Sequence, residues 1–105
     1  MEKQFNIREV LKSNSIIPVV NITDLTRVES IIDTLIKQSI NCIEITLRSK
    51  VAFEAIEKAI AIKPAGFQVG VGTIVNAEQV AKCAKLGVDF MVSPGVSNEV
   101  AKAFE

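Results

Sequence analysis

Four apolar, β-rich runs return about every 25 residues along the chain: "SIIPVVN" at 15–21, "CIEITL" at 42–47, "FQVGVGT" at 67–73 and "FMVSPG" at 90–95. Between them the apolar period changes from two to that of a helix. "TDLTRVESIIDTLIKQS" places Leu25, Val28, Ile32, Leu35 and Ile36 on one stripe, with Thr23 or Asp24 free to cap its first turn. "SKVAFEAIEKAIAIKP" turns Ala52, Ala55, Ile56, Ala59 and Ile60 inward after a Ser49 cap, sets Glu54 four residues before Lys58 on the wet side, and stops at Pro64 and Gly66. "NAEQVAKCAKLG" has Asn76 and Gln79 in capping-box spacing and Gly87 where a left-handed C-cap belongs. A short helix is expected over about residues 5–13, and a last one from Ser97 or Asn98 onward. Strand and helix alternating at this spacing means parallel strands joined by right-handed crossovers, an α/β fold.

Residues 1–105 read as a single domain, with neither linker nor low-complexity stretch, and the 49% hydrophobic content is enough for a real core. Either an open doubly wound sheet or part of a barrel fits. Eight units of this length make roughly 200 residues, the lower end for a (β/α)8 barrel, and this chain carries four. The pattern breaking off inside a helix at Glu105 leads us to expect a half-way mark rather than a natural edge.

Composition narrows the chemistry. Twelve Lys and Arg balance twelve Asp and Glu, so bulk charge recruits neither nucleic acid nor an anionic membrane surface. The apolar runs are far shorter than the roughly 18 residues of a spanning helix, and "MEKQFNIREVLKS" lacks the apolar core of a signal peptide. A cytoplasmic protein is expected, with Cys42 and Cys83 as reduced, buried thiols. The chain has no histidine, which removes histidine catalysis and, with no clustered cysteines, makes a metal site unexpected.

The run "CIEITLRS" breaks a rule of parallel sheets, whose strands are normally apolar on both faces. Ile43, Ile45 and Leu47 alternate with Glu44, Thr46 and Arg48. In an antiparallel sheet this would be an ordinary wet face. In a parallel one the polar row faces the inside of a curved sheet, where a charge is costly unless paired or used. At ~3.3 Å per residue Glu44 lies ~13 Å below Arg48, with the carboxylate inside and the cation at the entrance. Other strand ends agree: Gly70 and Gly72 permit close approach before Thr73, and Ser93, Pro94 and Gly95 precede a helix whose amides can point at the same region. "GVGT" lacks the lysine and spacing of a P-loop.

Taken together, "IIPVV", "CIEITLRS", "VGVGTIVNAEQ" and "VSPG" resemble, in order and spacing, the N-terminal half of the 2-keto-3-deoxy-6-phosphogluconate (KDPG) and 4-hydroxy-2-oxoglutarate (KHG) aldolases. The E-x-T-x-R strand followed by G-x-G-T is the specific part. The resemblance implies half of a class I aldolase TIM barrel, four βα units after a short N-terminal helix, from a homotrimeric, cofactor-free lyase. Such enzymes cleave the keto acid to pyruvate and an aldehyde. It makes Glu44 the general acid/base, and Arg48 and Thr73 the holders of the pyruvate carboxylate. The family's Schiff-base lysine belongs to the sixth strand, beyond Glu105, and its phosphate-binding loops to the seventh and eighth. Lys50 is the nearest lysine to the row but is expected in the first turn of a helix. The chain is therefore expected to be inactive alone. Two other readings stay open: a non-catalytic half-barrel that self-associates through its edge strands, and a small flavodoxin-like domain binding a nucleotide.

Overall fold

A computed structural model describes residues 16–93. The expected helices at 5–13 and from Ser97, together with Pro94 and Gly95, lie outside these residues. Within them the chain forms β1 (Val19–Val20), α1 (Val28–Lys37), β2 (Cys42–Thr46), α2 (Ala52–Ile62), β3 (Gln68–Gly72), α3 (Ala77–Leu86) and β4 (Phe90–Met91). The strands make one parallel sheet in the order β1-β2-β3-β4. This is the α/β architecture that the alternation predicts.

Two strands, β1 and β4, are much shorter than their apolar runs. Pro18 has no amide to give a ladder, so β1 begins after it, although its carbonyl still accepts from Glu44 N at 2.9 Å. Pairing of β4 continues past Met91 by Val92 N donating to Val71 O at 2.8 Å.

One face of the sheet carries the core. Ile43, Ile45, Val69, Val71 and Met91 pack with Val28 and Ile32 of α1, Ala55, Ile56 and Ala59 of α2, and Val80 and Cys83 of α3. Each fully buried branched side chain contributes about 1.5–3 kcal/mol, so this face supplies most of the stability.

The helix ends show where local rules hold. Asp24 accepts from Thr26 N at 3.0 Å, capping a 3-10 turn (Leu25–Arg27) that leads into α1. Asn76 accepts from Gln79 N at 2.9 Å while Gln79 accepts from Val75 N at 2.8 Å, and Gly87 ends α3 at φ 81°. The expected Ser49 cap is not made. Val51 takes the N-cap position without a side-chain bond, because the Ser49 hydroxyl donates to the Ile22 carbonyl, tying the β2–α2 turn to the segment after β1. Lys58 likewise leaves the wet face to donate from Nζ to the Leu25 carbonyl at 3.1 Å. Lys50 stands in the exposed turn ahead of α2 rather than within its first turn.

Candidate active site at the strand ends

The second face of the sheet is the polar one, and its residues converge at the C-terminal ends of the strands. A pocket of ≈ 350 Å³ is lined by Val19, Asn21, Glu44, Thr46, Arg48, Thr73 and Val92. All three residues named from the sequence, Glu44, Arg48 and Thr73, are in its wall. Lys50 is not among the lining residues, nor is any other described lysine.

Strand pleating explains the β2 contribution. Ile43 and Ile45 point into the helix-covered core, so Glu44 and Thr46 must point the other way. Glu44 is half-buried with neither ion pair nor side-chain hydrogen bond among the described residues, and burial alone raises its carboxyl above the ordinary 4.5. Such a group holds its proton closer to neutrality than a surface glutamate. Arg48 follows the strand and is exposed at the mouth.

Thr73 reaches the pocket by a different device. Simple alternation along β3 puts Gly70 and Gly72 on the pocket face and would send Thr73 to the core. Instead Thr73 has φ 62°, and Ile74 after it is fully buried in the core cluster. A β-branched residue in the left-handed region is unusual, and backbone strain of that kind gathers at functional sites.

Two polar residues of the wall had no role assigned from the sequence. Asn21 is exposed just beyond β1. Thr46 is 5% exposed and its Oγ1 has no hydrogen-bond partner among the described residues. The position of Asn21, at the C-terminal end of a parallel strand, was the available signal. No sequence pattern announces an unpartnered hydroxyl.

A parallel βα repeat with a carboxyl, a guanidinium and hydroxyls at its strand ends has the layout of a TIM-barrel enzyme site. A family model for the KDPG and KHG aldolases matches residues 7–105, and the chain belongs to that family. It is 35% identical over 96 residues to the 2-dehydro-3-deoxy-phosphogluconate aldolase of Haemophilus influenzae, covering 91% of this chain and 45% of that protein. The KHG/KDPG aldolase of Escherichia coli is 31% identical over 94 residues, 90% of this chain and 44% of the relative. Among solved structures, the KDPG aldolase of Zymomonas mobilis with 3-phosphoglycerate superposes with a TM-score of 0.85 at 32% identity, covering 93% of this chain and 46% of that one. The KDPG aldolase of Legionella pneumophila, with pyruvate captured as a covalent carbinolamine, also gives 0.85, at 31% identity over 90% of this chain and 45% of that one. The chain thus spans a little under half the length of these relatives. Its four parallel strands correspond to half of their barrel.

Proposed function

We propose that this chain carries the proton-transfer and carboxylate-binding part of a class I aldolase. The whole reaction is cleavage of 2-keto-3-deoxy-6-phosphogluconate to pyruvate and glyceraldehyde 3-phosphate, or of 4-hydroxy-2-oxoglutarate to pyruvate and glyoxylate. The observation that carries this reading is the joining of Glu44, Arg48 and Thr73 in one pocket wall. Arg48 offers the pyruvate carboxylate a charge-assisted fork at the mouth, and Thr73 adds a hydroxyl donor. Glu44, with its raised carboxyl, passes protons during carbinolamine and enamine formation. The amine nucleophile of such a mechanism has no candidate among the described lining residues, in keeping with a lysine on the family's sixth strand. Neither metal nor cofactor enters the proposed chemistry. No described helix is long and apolar enough to cross a membrane. The homotrimeric assembly and cytoplasmic location that the family resemblance implies belong to the same proposal.

Pyruvate titration followed by NMR or calorimetry tests it. The chain should bind pyruvate, and Arg48→Gln should weaken binding roughly 10- to 100-fold, the worth of about 1.5–3 kcal/mol for a hydrogen bond to a charged group. Treatment with pyruvate and borohydride should leave the mass of the 105-residue chain unchanged. A reduced adduct would show that a lysine of this chain does form the Schiff base. A second reading, a non-catalytic half-barrel that pairs with another copy, is favoured by Ile16, just before β1, and Val19 of β1, which are 60% and 62% exposed. It predicts self-association without pyruvate binding.

A further inference from the structure

The two glycines of β3 do not owe their place to backbone conformation. Positive φ among the described glycines occurs only at Gly66 and Gly87. Gly70 and Gly72 are in ordinary strand, where a β-branched residue would be the better choice. Space is the reason. A Cβ at Gly70 would lie 2.1 Å from Cε2 and 2.2 Å from Cζ of Phe90, whose ring covers that glycine. A Cβ at Gly72 would lie 2.1 Å from Oε2 and 2.8 Å from Cδ of Glu44.

Register makes the arrangement informative. Glu44, Gly70 and Phe90 are partners in one row across β2, β3 and β4, while Gly72 belongs to the next row, opposite Thr46. Phe90 comes from β4 and takes the space above Gly70. Glu44, coming from β2, leans diagonally over Gly72 instead. That lean brings its carboxyl one row nearer the strand ends, beside the segment that presents Thr73.

We propose that Gly72 is a positioning residue for the proposed reaction: its missing side chain is the niche that holds the Glu44 carboxyl inside the pocket wall. The claim rests on reading Glu44 as the proton carrier. Any side chain at 72 expels that carboxyl toward water. The glycines of G-x-G-T then serve two neighbouring side chains, one each, rather than a turn or a phosphate.

The test is the titration of Glu44, followed by NMR on glutamate-labelled chain and assigned with Glu44→Gln, combined with a thermal double-mutant cycle. In Gly72→Ala the carboxyl should titrate down in the ordinary glutamate range. The substitution should lower Tm in the parent background and leave it unchanged in Glu44→Ala, which has no carboxyl to displace. A Gly72→Ala chain that folds only when Glu44 is also Ala supports the niche equally. An unmoved Glu44 titration, equal Tm losses in the two backgrounds, or failure to fold in both, overturns it. Pyruvate titration of the unsubstituted chain separates the failures. Absence of binding there sinks the keto-acid reading and this role with it, whereas binding there alongside any of the negative results sinks the role of Gly72 alone.

Discussion

At the scale of single residues, the pocket keeps two groups in states that folding alone would not choose. Among the described residues, Glu44 is partly desolvated without a cation, and Thr46 Oγ1 is buried without a partner. For Glu44 the sign of the pH effect follows from linkage. Its folded carboxyl binds a proton more tightly than the unfolded one, so from the ordinary 4.5 up to the raised folded value the native state holds the extra proton. Stability should therefore fall as pH rises through that window, and Glu44→Gln should flatten this part of the curve in urea unfolding at several pH values. For Thr46, a buried unmade hydrogen bond costs ~1–3 kcal/mol. Thr46→Val, which keeps the shape and removes the hydroxyl, should raise stability by about 1 kcal/mol in the same assay; a loss of that size would mean the hydroxyl has a partner in solution. The polar row itself could be read from alternation in "CIEITLRS". Its energetic state could not, because desolvation depends on what β3 and β4 place beside it.

At the scale of elements, legibility followed the range of the interaction. Asn76 and Gly87, at the two ends of α3, are written in local capping rules and act as those rules require, while Gln79 reaches back one residue further than a capping box does, accepting from Val75 N rather than from Asn76 N. Asn76→Ala should cost about 1 kcal/mol, seen as a lower urea midpoint with unchanged slope. Ser49 matched the same local rule yet bonds to Ile22, 27 positions away. A tertiary acceptor outcompeted the helix amides, and no window around Ser49 could reveal it. Thr73 is a similar case. Period-two alternation sends it to the core, and only the left-handed turn after Gly72, with Ile74 taking the core site, returns it to the pocket. Its membership of the site was legible through family resemblance, not through periodicity.

At the scale of the molecule, the described helices all pack on one face of the sheet, while β1 and the residues just before it expose apolar side chains. Ile16 and Val19 are 60% and 62% exposed, although parallel sheets are normally covered on both faces. Zero net formal charge gives copies of the chain no mutual repulsion to keep such surfaces apart. Those two facts together argue for association of the 105-residue chain through the β1 edge. If folding is linked to pairing, mass action adds about 1.4 kcal/mol of stability per tenfold rise in concentration, per dimer. For a domain of this size that is a rise of several degrees in the thermal midpoint. Scanning calorimetry over a hundredfold concentration range, alongside sizing chromatography, should show the midpoint climbing together with the apparent mass. Replacing Ile16, which is outside the pocket wall, by Lys puts a charge beside that edge and should flatten both trends. A high midpoint that ignores concentration would show that the four strands stand alone, with the β1 edge needing no cover.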